Sequence, residues 1–158
     1  MRVDPIAASA IARPAGLTIL LGALLTVTGS ILPWAIRGNE TVPGISDLGA
    51  GTLALGVAGA ALLYVPYLRS AQDIPYGMAA MGAVLCGVLT IAAALYDMSH
   101  IDRVYAHLSE LESEVHYVVA PHAGPGLHVT LVGGIVLALG GLTTALARPR
   151  AMIPGEPA

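Results

Sequence analysis

Lysine and phenylalanine are absent from this 158-residue chain, cysteine and tryptophan each occur once, and only 11% of the residues are charged. Each shortage excludes something. Cys86 has no partner for an intramolecular disulfide, and its place inside an apolar segment reads as a small buried hydrophobe, not a reactive thiol. A water-soluble domain would carry about a quarter of its residues as charges. The seven basic residues are all Arg and are scattered, and the net charge is -3, which leaves no basic footprint for nucleic acid. The all-Arg usage with abundant Ala and Gly is the bias of GC-rich coding.

What is present is long uncharged sequence. Four such segments, Ala15–Ile36, Leu48–Leu68, Ile74–Tyr96 and Ala123–Ala147, are each long enough, at about 1.5 Å per helical residue, to cross a hydrocarbon core of roughly 30 Å. The expected fold is an all-α integral membrane protein, a bundle of four transmembrane helices over residues 15–147, with helices at about 15–36, 48–68, 74–96 and 127–147. Residues 1–14 form an N-terminal arm, 97–126 an outer loop and 148–158 a tail. The first segment exceeds an ordinary signal-peptide core and no A-x-A site follows it, so it reads as a retained helix.

Charges orient the bundle. Arg2, Arg13, Arg69, Arg148 and Arg150 fall on the side of the termini, and only Arg37 and Arg103 on the other, so both termini are expected in the cytoplasm and the chain in the plasma (inner) membrane. Trp34 and Tyr96 at the outer ends, with Tyr64, Tyr67 and Tyr76 at the inner ends, read as interfacial anchors.

Between helices in lipid, small residues that permit close approach matter most. Gly22 and Thr26 on the first helix, Ala54 and Ala58 on the second, Ala83 and Gly87 on the third, and Gly133, Gly134, Gly140 and Gly141 on the fourth are expected either to pack the bundle or to dock a partner. No Asp, Glu, Lys or Arg lies deep in any segment, which disfavours an ion-coupled transporter.

The first outer loop, Arg37–Asp47, reads as a turn around Pro43 and Gly44. The second holds all five histidines in it or at its edge, and residues 98–118 have helical periodicity through Ile101, Val104, Leu108, Leu111 and Val115. That segment is expected to continue helix three outward or to fold over the bundle. His100, His107, Glu110 and Glu114 share its polar face and have donors suited to a first-row metal, although no spacing diagnostic of a metal site is present. His128, one turn into helix four, reads as a hydrogen-bonded imidazole. No nucleophile frame or phosphate loop is recognisable, so no catalysis and no cofactor is predicted.

Leu32-Pro33-Trp34, Pro43-Gly44 and Pro125-Gly126-Leu127 form a pattern similar to that of uncharacterised four-helix conserved membrane proteins of actinobacteria, a resemblance that implies the fold and no activity. The claudin-like pattern is excluded, because W-G-L-W-C-C and its cysteine pair are missing. The leading expectation is a non-catalytic accessory or scaffold subunit of a larger envelope or respiratory complex, with the lipid bilayer and a membrane protein or a second copy as partners. Metal or small-ligand binding by the outer loop is the alternative, and lipid or quinone handling the third.

Overall fold

The computed structural model describes the backbone of residues 5–37, 40–46, 48–68, 76–111 and 122–146, with side chains for 15–36, 41–45, 48–62, 78–101 and 122–146. Four helices dominate these residues: α1 (Pro5–Ile31), α2 (Gly49–Leu68), α3 (Tyr76–Leu111) and α4 (Pro125–Leu146). A small sheet of β1 (Pro33–Arg37), β2 (Glu40–Pro43) and β3 (His122–Ala123) lies over one end in the order β2-β1-β3, and a 3-10 turn, Gly44–Ser46, links β2 toward α2. Within α3 and α4, Met78–Ile101 and Pro125–Leu146 are long and apolar enough to cross a membrane; the described apolar parts of the other two, Ala15–Ile31 and Gly49–Leu62, are shorter.

Several expected boundaries move. Helix one was expected to reach Ile36, but it stops at Ile31 and the chain turns into a strand. Proline explains the change: Pro33 has no amide to donate to the Gly29 carbonyl one helical turn back, and it drives Leu32 toward extended backbone. The released Gly29 carbonyl accepts the Trp34 indole N–H at 2.9 Å, and the Leu32 carbonyl accepts the Gly44 amide at 3.1 Å. At its other end α1 begins at Pro5, inside the segment read as an arm, with proline at the first helical position where no donor is lost. The expected turn over Arg37–Asp47 is an antiparallel hairpin, with Pro33 opposite Pro43 at its base and Arg37 opposite Glu40 at its tip.

The expected outer loop changes as well. Helix three does not stop at Tyr96; it runs unbroken to Leu111, and its 36 residues make a rod of about 54 Å. Of the two arrangements the periodicity allowed for residues 98–118, continuation of the helix is the one formed through Leu111. Helix four starts at Pro125, two residues early, again with proline in the first helical position.

The helices form a ring in which α1 packs on α2 and α4, and α3 packs on α2 and α4. The α1/α4 side is a zipper of reciprocal bumps and gaps. A Cβ on Gly133 would sit 2.5 Å from the Thr26 amide nitrogen, one on Gly140 2.8 Å from Ile19 Cγ1, and one on Gly22 2.7 Å from Leu137 Cα. A gap on one helix thus receives a bump from the other at four successive levels, the fourth being Gly29 against Thr130. On the α3/α4 side, a Cβ on Gly134 would stand 3.1 Å from the Thr90 Cβ, and one on Gly141 2.8 Å from the Ala80 carbonyl oxygen.

The paired glycines of α4 now have a geometric reason. Adjacent helical residues point about 100° apart, close to the corner angle of a four-helix ring. Gly133 and Gly140 therefore face α1 while their neighbours Gly134 and Gly141 face α3. Leu137, fully buried midway between the pairs, is the bump that fills the centre. It packs with Ile19, Ala23, Ala83 and Cys86, and lies against Gly22 and Gly59.

Side-chain size is distributed inside out. The buried positions are mostly Ala, Gly, Thr and Ser, whereas Leu17, Leu24, Met81, Leu85, Leu139 and Leu146 are exposed. A soluble bundle places its large apolar residues inside. Here the interior is filled by close backbone approach instead.

Candidate functional site

Two regions hold the polar chemistry: a stratum of hydroxyls inside the bundle and the cap over its end. Each of the four helices contributes a fully buried hydroxyl residue: Thr26 and Ser30 from α1, Thr52 from α2, Thr90 from α3 and Thr130 from α4. An apolar interior requires such groups to be bonded, and most of these bond within their own helix. Thr26 Oγ1 donates to the Gly22 carbonyl at 2.9 Å, Thr90 Oγ1 to the Cys86 carbonyl at 2.8 Å, and Ser30 Oγ lies 2.7 Å from the Thr26 carbonyl.

Among these buried hydroxyls, Ser30 and Thr52 bond across two helices. Ser30 Oγ and Thr52 Oγ1 are 2.7 Å apart, and Thr52 Oγ1 also lies 3.0 Å from the Gly49 carbonyl, so this pair ties α1 to α2 near the cap. Thr130 Oγ1 is the exception. It is buried with no hydrogen-bond partner and faces Gly29, whose missing side chain admits it.

The cap is organised by Trp34. Its ring is buried with Ala94 and Leu127, flanked by Met98, Ile101, Ala123 and Leu131, and its indole N–H closes the end of α1. Its own carbonyl accepts the Gly124 amide at 2.7 Å, which holds β3 and the start of α4 in place. Gly44, Gly124 and Gly126 lie directly against the Trp34 ring or its backbone, where a methyl group would collide. The ring of Trp34, expected at the membrane interface, is packed inside the cap and not on its surface. Proline immediately before the only tryptophan, at the end of an apolar helix, is the signal that pointed to this role.

Tyr96 is exposed at the end expected for helix three, which runs on past it, and stacks on His100 one turn on, with ring centroids 6.0 Å apart and planes 12° from parallel. Tyr64, Tyr67 and Tyr76 belong to α2 and α3, but their side chains lie outside the described residues. Of the candidate metal ligands, His100 is an exposed residue of α3. His107 and Glu110 are on the same helix with side chains outside the described residues, and Glu114 lies wholly outside them. Among the described residues, no three His, Cys, Asp or Glu side chains come together. His128 Nδ1 lies 3.2 Å from the Gly124 carbonyl, one turn back at the start of α4.

The small residues divide into two sets. Gly22, Thr26, Ala83, Gly87, Gly133, Gly134, Gly140 and Gly141 all lie in the contacts between helices of this chain. Ala54 and Ala58 do not. They are exposed on α2 with Ala50, Gly51 and Ala61, while Thr52, Gly56 and Gly59 form the packed face of that helix. The stripe of alanines chosen from spacing is therefore on the opposite side of α2 from the one that packs.

Neither of two comparisons identifies a relative: no family model matches the chain, and no curated protein is significantly similar to it.

Proposed function

We propose that this chain crosses the bilayer four times, with both termini on the cytoplasmic side, and serves as a non-catalytic scaffold or accessory subunit that holds another membrane protein. The inversion of side-chain size carries the four-span reading. Large apolar residues face outward on α1, α3 and α4, and an interior mostly of glycine, alanine and hydroxyls, all but Thr130 bonded, suits a solvent in which close approach outweighs hydrophobic drive. The ring arrangement supports including α1 and α2 in the membrane bundle, because α1 packs on α4 and α2 packs on α3, the two helices long and apolar enough to cross. Five Arg toward the termini against two beyond the cap support the orientation.

The scaffold reading is supported by α2. Among the described residues its outward face carries Ala50, Gly51, Ala54, Ala58 and Ala61 with one large side chain, Val57, so beside Ala54 a foreign helix can approach its backbone closely. Gly134, used inside the ring, is a poor choice for testing a partner; Ala54 is a good one. The experiment is purification from native membranes in mild detergent, comparing the natural chain with Ala54→Leu. The expected result is a stoichiometric partner, or a second copy, that is lost from the variant while its thermal stability stays unchanged. A chain recovered alone in both cases contradicts the scaffold reading.

A further inference from the structure

Beside the buried Trp34, the cap has an apolar edge of its own. Val42 on β2, Ile45 in the 3-10 turn and Leu48 before α2 are 47%, 48% and 39% exposed, and none of them serves the ring's interior. Their depth is fixed by close contacts. A Cβ on Gly44, between Val42 and Ile45, would stand 2.6 Å from the Ser30 carbonyl oxygen, so this edge is level with the last turn of α1. A Cβ on Gly126 would stand 2.8 Å from the Gly29 carbonyl oxygen, so the first turn of α4 is at that level too. The 22 residues of α4 rise about 33 Å, close to the thickness of a hydrocarbon core, which places its first turn at the boundary between acyl chains and headgroups.

We propose that Val42, Ile45 and Leu48 form a lipid-contacting ledge that seats the cap in the outer leaflet at the headgroup boundary. This inference rests on the four-span reading above. Three observations favour lipid as the occupant. Gly44, between Val42 and Ile45, touches Ser30 and bonds the Leu32 carbonyl, and Ile31 between those two residues is itself exposed, so the ledge adjoins the end of the outward apolar surface of α1. The exposed ring of Tyr96 follows Ala94, which packs against Trp34, so an aromatic with a polar tip stands near the same level on another side of the bundle. The hairpin grades from apolar residues at its base to Arg37 and Glu40 at its tip, as a segment rising out of an interface into water should. The ledge and the Pro33–Trp34 cap then work together. The cap closes the end of α1 without water, and the ledge keeps it from tilting off the membrane on the α1/α2 side.

The test uses the full chain in lipid nanodiscs. In a Cys86→Ala background, single cysteines replace Val42, Ile45 or, as a mid-span control, Leu139, and each carries an environment-sensitive fluorophore. All three positions are exposed, so the labels leave the packing intact, and unchanged melting of each variant verifies this. Quenching is compared for lipids with a nitroxide near the headgroup end of the acyl chain, lipids with a nitroxide at its far end, and aqueous iodide. The ledge predicts that labels at 42 and 45 are quenched by the shallow nitroxide roughly threefold or more above iodide, as expected for insertion to the headgroup–acyl boundary. Iodide quenching at 42 and 45, with the label at 139 quenched by the deep nitroxide, overturns the ledge and leaves the four-span reading standing. Iodide quenching at all three positions overturns both. Protection of 42 and 45 from every quencher also overturns the ledge, in favour of a protein cover.

Discussion

Helices α2 and α4 are both rich in small residues, yet they use them in opposite ways. In α4, Gly133, Gly134, Gly140 and Gly141 are all buried, and each is pressed by backbone or side chain of α1 or α3. In α2, Thr52, Gly56 and Gly59 face the ring while Ala50, Ala54 and Ala58 face away. A stripe of small residues therefore has no fixed meaning. In a corner helix with two tight neighbours, adjacent small residues serve two partners inside the chain. In a helix with looser neighbours, one stripe is used and another is left over.

That contrast can be broken, beginning with its largest element. Leu137 fills the centre between the glycine pairs, so Leu137→Ala leaves a void lined by Gly22, Gly59, Ala83 and Cys86, residues too small to collapse into it. The expected loss is about 2–5 kcal/mol, read as a lower unfolding midpoint in a lipid–detergent titration. A change within error would mean that α4 is not the centre of the ring.

A smaller loss is expected in the cap. Trp34→Phe keeps a ring among Ala94 and Leu127 but removes the donor to the Gly29 carbonyl, and Pro33 cannot replace it. Leaving that carbonyl without its donor costs about 1–3 kcal/mol. Hydrogen exchange should localise the effect to the end of α1 and the hairpin, and uniform loosening of all four helices would contradict the closing role given to Trp34.

The smallest effect is expected at Thr130. Its hydroxyl is buried and unbonded, so Thr130→Val, which keeps the shape, should leave the melting temperature unchanged or raise it slightly. Ser30→Ala is the counterpart, because it breaks the Ser30–Thr52 bridge and should cost roughly 1 kcal/mol. If both variants melt together below the natural chain, Thr130 is bonded after all.

Much of this architecture was legible in the residues. The apolar segments marked the four helices, because length and lack of charge alone select them. Gly133-Gly134 and Gly140-Gly141, a heptad apart, marked the close-packed side of α4. The rest was hidden for identifiable reasons. Trp34, Ala35 and Ile36 are as apolar as the helix before them, so hydropathy alone does not separate the strand they form from the helix that Pro33 ends. The frequency of tryptophan at membrane boundaries does not reveal that Pro33 frees a carbonyl for the Trp34 indole. Spacing puts Ala54 and Ala58 on one face of α2 but does not say whether that face meets a helix of this chain, and it is turned away from the ring. The candidate metal ligands His107, Glu110 and Glu114 have side chains outside the described residues.

Small residues face inward on α4 and outward on α2, and a matched pair of leucine substitutions separates the two faces. Thermal unfolding of Gly133→Leu and Ala54→Leu is measured on the isolated, monodisperse protein in the same detergent. Gly133→Leu drives a side chain into the Thr26 backbone and is expected to lose about 3 kcal/mol or fail to assemble, whereas Ala54→Leu points outward and should melt as the natural chain does. Equal losses, or a larger loss at Ala54, would contradict the helix facings on which the fold and the proposed docking surface both depend.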